Sequence, residues 1–339
     1  MKKNQKTSIA HPQIARQDLY QQITDKIILA IEKGTLPWRK PWRTGQTNGE
    51  HPLPRNATTG HYYSGINVML LWMAAEEQGF SANRWLTFRQ ALNAGGNVRT
   101  GETSSQAIFF KPWEKQAEDY SGKKLFGDDG NPLIERVSMM KSLCLFNVAQ
   151  CENLPEDIAG ECLFPDAMGD EGTVDTQTFN RVDSIIRHSG VSVNHRHQNG
   201  AYYRSATDRV VMPLIRQFFT EADYWSTLLH ELVHSTGHIR RLNRPGITSA
   251  SKAFGDKVYA FEELIAELGS AFLCAEVGVF GEIQHDSYID SWLQALKSDK
   301  RAIFRACRFA REASEYLIRH ESIVNGDSSD AAVEGGVLS

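Results

Sequence analysis

The sequence has few cysteines, and none of them form the CxxC pairs of zinc or redox motifs. The five cysteines are odd in number, which argues against a disulfide framework and favours a reducing compartment. The chain also lacks the apolar core of a signal peptide, and no apolar run approaches the roughly 20 residues that cross a bilayer. These absences predict a cytoplasmic protein with no membrane partner.

Two common nucleotide-binding signatures are missing as well. Neither a phosphate-cradling P-loop nor the glycine pattern of a dinucleotide-binding fold occurs, and there is no internal repeat. What remains is a chain of 339 residues, 41% of them apolar, which is enough for packed cores in one large domain or two ordinary ones. Short strand patterns alternate with helical patterns and predict an α+β fold.

Charge divides the chain into two parts. Residues 1–125 contain 17 Lys and Arg against 10 Asp and Glu, a net charge of +7, whereas the remaining residues contain 20 against 31, a net charge of −11. Such asymmetry is typical of a basic module for an anionic partner joined to an acidic module with another task. Residues 152–175 are rich in acidic residues and contain no basic residue, so we predict the connection between the modules there.

A short segment of the basic part combines prolines, tryptophans and cations. In residues 33–43, two prolines favour an extended backbone around two tryptophans and four basic residues. Exposed rings stack on unpaired bases and cations neutralise phosphates, so the segment predicts binding of single-stranded DNA, with duplex DNA as a further partner. The alternative is that the tryptophans anchor a small core. The DNA-binding candidates in this segment are Lys33, Trp38, Arg39, Lys40, Trp42 and Arg43.

The following segments add polar and aromatic residues to the same hypothesis. A turn-rich stretch between residues 55 and 67 holds two adjacent tyrosines. A helix predicted over residues 68–78 follows it, and then a second short helix that ends at Leu92. The apolar run of residues 107–111 predicts a strand. The further DNA-binding candidates are Arg55, Asn56, Tyr62, Tyr63, Asn67 and Arg89.

The acidic part contains the motif His230-Glu231-Leu232-Val233-His234. On an α-helix the histidines lie at i and i+4, so both imidazoles leave one face and can bind one metal ion, with Glu231 directed to its open side. Thr220 predicts the start of this helix and Gly237 its end. The motif predicts a hydrolytic site for one Zn²⁺ ion, or another divalent metal. The alternative is a helix with two histidines near its C-terminus.

A third ligand is expected from a second helix, predicted over residues 257–276. Glu263 and Glu267 share one face of it, and small residues on that face would let another helix approach. The spacing is similar to the gluzincin pattern, and this resemblance implies that Glu263 binds the metal and Glu267 fixes the tautomer of a ligand histidine. The small residues are Ala266 and Ser270.

Two residues remain as alternatives to Glu263. Glu262 directly precedes it, in place of the asparagine of the best-known gluzincins. His238 lies beyond the motif, but the metzincin pattern HExxHxxGxxH is not met, because the glycine here falls at i+7 and the histidine at i+8.

Other residues of the acidic part complete the hypothesis. For an active site, Glu231 is the predicted general base and Tyr259 or Tyr203 the second electrophile. Residues 208–213 predict a strand whose final proline suits a sheet edge, where an extended peptide is bound. His195 and His197 have strand spacing and are expected to face solvent rather than to bind metal.

Both parts of the chain resemble one family. The segment Gly34-Thr35-Leu36-Pro37-Trp38-Arg39-Lys40-Pro41-Trp42 resembles the amino-terminal domain of ArdC-type antirestriction proteins, which also occurs in plasmid primases of the TraC type. Residues 224–272 resemble the zincin-like domain of the same proteins. The resemblance implies a single-stranded DNA-binding protein of a plasmid, active in conjugation, that protects incoming DNA from host restriction. Matching positions farther along are Asn56, Thr59-Gly60, Tyr63, Gly65-Ile66-Asn67, Trp85, Thr87 and Gln90.

The expected organisation has five parts. They are a flexible arm at 1–12, a DNA-binding domain at 13–150, an acidic linker at 151–176, a gluzincin-type metallopeptidase domain at 177–322 and a disordered tail at 323–339. Two functions fit this organisation. In one, the protein covers single-stranded DNA and its metal site is structural or vestigial. In the other, it is an endopeptidase with a protein substrate, and DNA binding serves only as targeting.

Overall fold

The computed structural model describes residues 18–39, 51–117, 123–127, 129–160, 176–248, 257–281 and 288–326. Its helices are α1 (Leu19–Glu32), α2 (Ile66–Gln78), α3 (Phe88–Asn93), α4 (Glu156–Ala159), α5 (Thr176–His188), α6 (Glu221–Thr236), α7 (Pro245–Thr248), α8 (Lys257–Val277), α9 (Ile289–Ser298) and α10 (Ala302–Gly326). Its strands are β1 (Arg55–Asn56), β2 (Arg84–Leu86), β3 (Asn97–Val98), β4 (Ser105–Gln116), β5 (Ile134–Asn147), β6 (Cys151–Glu152), β7 (Ser192–Arg196), β8 (Tyr202–Arg204) and β9 (Arg209–Pro213). The α+β class predicted from the sequence is confirmed.

The amino-terminal sheet has the strand order β1-β2-β5-β4. β4 and β5 are antiparallel over their whole length, with pairs running from Ser105↔Leu145 to Gln116↔Ile134. β2 pairs with β5 only at its end, through Asn147 and Phe146. Beyond this base, β4 and β5 continue as a two-stranded extension, and we call residues 109–116 with 134–141 the ribbon.

The carboxy-terminal sheet has three strands in the order β7-β9-β8. β9 pairs in parallel with β7 and antiparallel with β8. The prediction that residues 208–213 form a sheet edge is therefore wrong. Pro213 is tolerated here because it is the last residue of the strand, where it pairs with Arg196 at the end of the β7 register.

Helices α6 and α8 pack face to face beneath this sheet. The Ser270 hydroxyl donates to the Ser226 carbonyl at 3.2 Å. A Cβ atom on Gly269 would lie 2.8 Å from Val233, so the close approach of the two helices requires glycine at this position. Small residues on α8 thus allow the approach that the sequence predicts, with Gly269 adding to Ala266 and Ser270.

Residues 289–326 form two helices, α9 and α10. Asp299 separates them with an extended backbone, and its carboxylate accepts a hydrogen bond from the Arg301 amide at 2.8 Å. Such a short polar side chain ends one helix and caps the next. α10 continues to Gly326, so the first residues of the predicted tail at 323–339 are helical. Residues 327–339 lie outside the described ranges, as does the predicted arm at 1–12.

The two halves of the chain share a hydrophobic core. Trp72 of α2 packs on Phe272 of α8 with ring centroids 6.0 Å apart, and Tyr20 of α1 packs edge-on against Phe304 of α10 at 4.8 Å. The Thr24 hydroxyl donates to the Lys300 carbonyl at 2.8 Å. Although residues 161–175 of the predicted linker lie outside the described ranges, the amino-terminal and carboxy-terminal halves are in direct contact.

Candidate metal centre

Helix α6 positions the two histidines of the HExxH motif. It begins where the sequence predicts, because the Thr220 hydroxyl accepts from the Asp223 amide at 3.1 Å while the Asp223 carboxylate accepts from the Thr220 amide. Gly237 follows its last residue. His230 and His234 lie one turn apart on the side that faces α8, and both are buried. A regular, well-capped helix thus fixes both imidazoles before any ligand binds.

Glu263 completes a compact group with these histidines. The two Nε2 atoms are 3.1 Å apart, and Glu263 oxygens lie 3.6 Å from Nε2 of His230 and 3.5 Å from Nε2 of His234. One ligand atom from each residue fits within 4.8 Å of the others. We call His230, His234 and Glu263 the ligand group. His238 is not part of it, and its Nδ1 instead accepts from the Arg240 amide at 3.3 Å.

Glu262 lies on the other side of His234. One of its oxygens is 3.6 Å from Nδ1 of His234. The carboxylate is held by the buried guanidinium of Arg244, whose Nη2 donates to it at 2.6 Å and whose Nε donates at 3.1 Å. A Cβ on Gly246 would lie 2.5 Å from the Glu262 side chain, so glycine is needed for this approach of α7. Glu262 is therefore placed beside a ligand histidine rather than within the ligand group.

Arg244 was not identified from the sequence, although it anchors this side of the site. It also donates to the Val233 carbonyl at 2.8 Å and to the Thr236 hydroxyl at 2.6 Å, which ties the segment after α6 back onto the helix. Several arginines follow the motif, and no spacing rule distinguishes the one that folds inward. The only signal is indirect: two adjacent glutamates on a buried helix require a cation.

Glu267, which the gluzincin resemblance assigns to a ligand histidine, contacts residues of the amino-terminal half. Its carboxylate accepts from the indole Nε1 of Trp38 at 3.3 Å and lies 3.7 Å from the Arg39 guanidinium. Being one turn beyond Glu263 on α8, it faces the amino-terminal half of the chain. Glu262 instead places a carboxylate oxygen 3.6 Å from Nδ1 of His234, the ring nitrogen that faces away from the ligand group.

Charge explains how the buried group is stabilised. Burial raises the pKa of Glu263, but the neighbouring His234 and His230 outweigh this effect and hold it well below its ordinary value. Burial lowers the pKa of His234, but the Glu263 and Glu262 carboxylates raise it to about 10. Together with the buried Glu231, these carboxylates give the site a negative charge that favours binding of a proton or a cation.

Two tyrosines lie beside the ligand group. Tyr259 is one turn before Glu263 on α8, and burial together with the Glu263 carboxylate raises its pKa. Tyr288 contacts Tyr259 with ring centroids 6.0 Å apart, and burial with the Glu263 and Glu231 carboxylates raises its pKa too. Both hydroxyls therefore keep their protons at neutral pH and can donate hydrogen bonds. Tyr288 belongs to a later segment, and no sequence spacing links it to the motif.

The other predicted electrophile, Tyr203, forms hydrogen bonds with residues outside the ligand group. Its hydroxyl donates to Asp208 at 2.7 Å and accepts from Arg241 at 3.2 Å. His195 and His197 are exposed as expected, and Nε2 of His195 lies 2.8 Å from the Tyr224 hydroxyl. None of these residues enters the ligand group.

The ligand group fits a divalent metal ion. Donor atoms that share a tetrahedral zinc ion at about 2.1 Å lie roughly 3.4 Å apart. The two Nε2 atoms are 3.1 Å apart, and each lies close to that distance from a different oxygen of Glu263, Oε1 at 3.5 Å from His234 and Oε2 at 3.6 Å from His230. Two imidazoles and a carboxylate also form a donor set that zinc and manganese accept.

The predicted DNA-binding residues have different environments. Trp38 is 1% exposed, packed edge-on against Trp292 at 5.8 Å, so its ring cannot stack on a base in this structure. This supports the alternative that it is a core anchor. The amide of Asn67 is bonded to both the carbonyl and the amide of Ile108, each at 2.8 Å, and shields the edge of β4. Lys40, Trp42 and Arg43 lie outside the described residues.

The remaining candidates are nearer the surface. Asn56 accepts from the amides of Thr58 and Thr59 at 3.1 and 3.0 Å and so shapes the turn after β1. Arg55, Tyr63 and Arg39 are partly buried. Those that are exposed to solvent are Lys33, Tyr62 and Arg89.

Two family models match the chain, one for each half. Residues 17–146 match the N-terminal domain of anti-restriction factor ArdC. Residues 180–309 match a zincin-like metallopeptidase. The second match contains the whole ligand group, while the first contains the ribbon. Within the described residues, no helix is both long and apolar enough to span a membrane.

Curated relatives match along most of the chain. A DNA primase TraC of Escherichia coli is 34% identical over 315 residues, covering 90% of this chain but only 20% of that protein. A second Escherichia coli TraC is 33% identical and is covered over 27% of its length. The chain thus spans about a fifth to a quarter of these primases. The uncharacterized protein y4eC of Sinorhizobium fredii is 32% identical and is covered over 93% of its length.

Solved structures agree with these matches. The metal-free crystal structure of antirestriction ArdC protein from the R388 plasmid has a TM-score of 0.72 and 35% identity, covering 90% of this chain and 98% of that one. The Mn(II)-bound structure of the same protein has a TM-score of 0.67 and 36% identity, with the same coverage. A divalent metal therefore belongs to this type of structure. The chain is a member of the ArdC family of antirestriction proteins, with an ArdC N-terminal domain and a zincin-like domain.

Proposed function

We propose that this protein binds single-stranded DNA in the cytoplasm and protects incoming mobile-element DNA from host restriction by covering it. The observation that carries the proposal is the coincidence of two features in one half of the chain. The excess of positive charge lies within residues 1–125, and the match to the ArdC N-terminal domain covers residues 17–146. Polyanion binding needs such a concentration of cations, because neutralising phosphates releases counterions and drives association.

Exposed basic side chains of this half are the first candidates for phosphate contacts. Lys33 and Arg89 are exposed, and Arg55 lies on the short strand between them in sequence. Tyr62 is exposed and is tilted against His51 with ring centroids 4.7 Å apart, so it offers an aromatic surface. These residues provide both interactions that single-strand binding uses, namely phosphate neutralisation and base stacking.

The proposal is tested by fluorescence anisotropy with a labelled 30-nucleotide oligothymidine and a duplex of the same length. We expect tighter binding to the single strand, and a shallower salt dependence after Lys33→Gln and Arg89→Gln, by about one unit of slope for each lost phosphate contact. Arg319→Gln, exposed on α10, is the matched control and should bind as the wild type does. No measurable binding of either DNA would refute the proposal.

A second candidate function is zinc-dependent peptide hydrolysis. The buried carboxylate of Glu231, between the two ligand histidines, favours it, because a purely structural metal site needs no such base. His230, His234 and Glu263 would hold the ion. When bound, zinc lowers the pKa of a coordinated water to about 7 and polarises a carbonyl group.

The chain's own residues would perform the proton transfers. Glu231 would accept the water proton and pass it to the leaving amine. The protonated hydroxyls of Tyr259 and Tyr288 would donate hydrogen bonds to the developing oxyanion. Glu262, fixed by Arg244, would hold the imidazole of His234 in orientation, as distal carboxylates do in metal sites.

Glu231→Gln separates this function from DNA binding. We expect this variant to keep its metal, measured by mass spectrometry of the dialysed protein, and its affinity for single-stranded DNA. Any cleavage of casein or of a single-stranded DNA-binding protein by the wild type should fall by at least a hundredfold. Cleavage that persists in Glu231→Gln would remove Glu231 from the mechanism, and absence of cleavage by the zinc-loaded wild type would favour the first function.

A further inference from the structure

The ribbon has two faces of different chemistry, defined by the register of β4 and β5. Directly paired residues of an antiparallel ladder share a face, and successive residues alternate between faces. Phe109 pairs with Lys141, Lys111 with Met139, and Lys115 with Glu135. We call the face that carries these three pairs, together with Trp113, the platform.

The platform exposes large rings that have no core beneath them. The Phe109 side chain is 42% exposed and that of Trp113 is 51% exposed. Ala107, two residues earlier on the same face, is fully buried, so β4 leaves the protein core between Ala107 and Phe109. Aromatic side chains of this size are normally buried, and exposed rings repeated along one face indicate a binding surface.

Cations alternate with the rings on the same face. Lys111 lies between Phe109 and Trp113 along β4, and Lys141 lies directly across from Phe109. Lys115 forms an ion pair with Glu135 at 2.7 Å. Lys111 and Lys141 therefore give the platform a net charge of +2. The opposite face is neutral by the same count, because Glu114 and Arg136 are paired at 2.8 Å. The platform therefore carries two of the three exposed rings of the ribbon, together with its excess of positive charge.

This combination matches unpaired nucleotides better than other partners. Base faces are available for stacking only where the strand is single, whereas a duplex presents its phosphates and groove edges. A second copy of the chain would approach through the open edge of β4. That edge carries Pro112, which lacks an amide proton, and the charged Lys111, features that oppose strand pairing between molecules.

We propose that the platform is a stacking site for single-stranded DNA, with Phe109 and Trp113 stacking on bases and Lys111 and Lys141 contacting phosphates. The proposal rests on the DNA-binding function proposed above and assigns it to residues that the sequence had not indicated. The two rings lie four residues apart, about 13 Å along the strand, with the Lys111 side chain between them. They would bind two bases that are not adjacent in the DNA strand.

The test compares variants of the full-length protein by fluorescence anisotropy with labelled oligothymidine. Phe109→Ala/Trp113→Ala is expected to weaken binding at least tenfold. Phe110→Ala is the matched control, since Phe110 is 49% exposed but lies on the opposite face, and it should change the affinity less than twofold. Lys111→Gln/Lys141→Gln should weaken binding and reduce the salt dependence by about two units of slope.

Two further measurements make the result decisive. Thermal unfolding of each variant should match that of the wild type, because the changed side chains are exposed. In the wild type, photo-crosslinking of 5-iododeoxyuridine DNA followed by peptide mapping should identify the segment containing Phe109 and Trp113, and this requires no variant at all. A crosslink found only in other segments would overturn the proposal.

Other outcomes show whether the assignment to the platform fails or the proposed DNA-binding function itself fails. If the wild type binds single-stranded DNA and the double alanine variant binds it equally well, the platform is wrong while DNA binding stands. If the wild type binds no DNA, the proposed function itself fails. Equal loss of duplex and single-strand affinity would indicate groove binding. A dimeric wild type that the double variant makes monomeric, with DNA affinity unchanged, would identify a second copy as the occupant.

Discussion

The ligand group is buried between α6 and α8, whereas Phe109 and Trp113 project from a two-stranded ribbon with about half of each side chain exposed. In the first region, the functional side chains are buried beside one another, so truncating one leaves a space or an uncompensated charge inside the protein. In the second, the side chains contact little, so they can be changed without unfolding the protein. Two tryptophans show the same contrast, because Trp38 is buried and Trp113 is exposed. Substitutions in the two regions should therefore differ in their effect on stability.

Trp38→Ala should lower the free energy of unfolding by about 4 to 5 kcal/mol, because it removes a fully buried indole from the core shared by both halves. It also leaves the Glu267 carboxylate without the indole donor. Trp113→Ala should change the same quantity by no more than about 0.5 kcal/mol. Urea unfolding followed by circular dichroism measures both. Equal effects of the two substitutions would contradict the assignment of Trp38 to the core and Trp113 to the surface.

Arg244→Met should cost about 3 to 4 kcal/mol of unfolding free energy in the metal-free protein. The substitution leaves the Glu262 carboxylate buried without its cation, which is more costly than losing the ion pair itself. The control is Arg244→Met/Glu262→Leu, which removes both charges and should recover most of the loss. If the double variant is as unstable as the single one, the ion pair is not the cause.

Metal binding should stabilise the folded protein through the ligand group alone. At a free Zn²⁺ or Mn²⁺ concentration 100 times the dissociation constant, the free energy of unfolding should rise by about 2.7 kcal/mol. His234→Ala should abolish this increase, and His238→Ala should retain it, because His238 lies outside the ligand group. Differential scanning calorimetry with and without EDTA measures the effect. A loss of stabilisation in His238→Ala would require a different ligand set.

The ion pair of Asp208 with Arg241 should make stability depend on acid pH. Burial raises the pKa of Asp208, but hydrogen bonds from Arg241 and Tyr203 outweigh it and hold the pKa below its ordinary value. The pair therefore stabilises the fold above that ordinary value and loses its contribution as the pH falls through the lowered pKa. Asp208→Asn should cost about 1 to 2 kcal/mol at pH 7, and the difference from wild type should shrink below about pH 4.

Asparagine is a suitable replacement because residue 208 has a positive φ of 47°, which asparagine tolerates at least as well as aspartate does. A difference between Asp208→Asn and wild type that stays constant from pH 7 to pH 3 would show that the carboxylate charge is not responsible.

Local sequence predicted those features that depend on a single helix. Helix α6 starts and ends where Thr220 and Gly237 predict, since capping is a local interaction. The i and i+4 spacing is sufficient to place His230 beside His234. The choice among Glu262, Glu263 and Glu267 depends on how α8 is rotated against α6, on where Arg244 folds back, and on Trp38 from the other half. Each of these three features depends on contacts between segments that are far apart in the sequence, so no single segment predicts it.

Burial of aromatic residues was the least predictable feature. Trp38 lies among basic residues and prolines, a composition typical of an exposed segment, yet α9 and α8 cover it. The ribbon shows the opposite case. Only residues 107–111 were predicted as a strand there, because lysine, glutamate and Pro112 have low strand propensity. Pairing with β5 extends the strand to Gln116 and brings Phe109 and Trp113 onto one face.

The central claim is that protection depends on DNA binding by the amino-terminal half and not on hydrolysis at the ligand group. Its most direct test is the survival of incoming plasmid DNA in restricting recipient cells that contain wild type, Glu231→Gln or Phe109→Ala/Trp113→Ala at equal levels. We expect Glu231→Gln to protect as well as the wild type does and the double alanine variant to lose protection. Loss of protection in Glu231→Gln, with its affinity for single-stranded DNA unchanged, would contradict the claim and identify peptide hydrolysis as the mechanism.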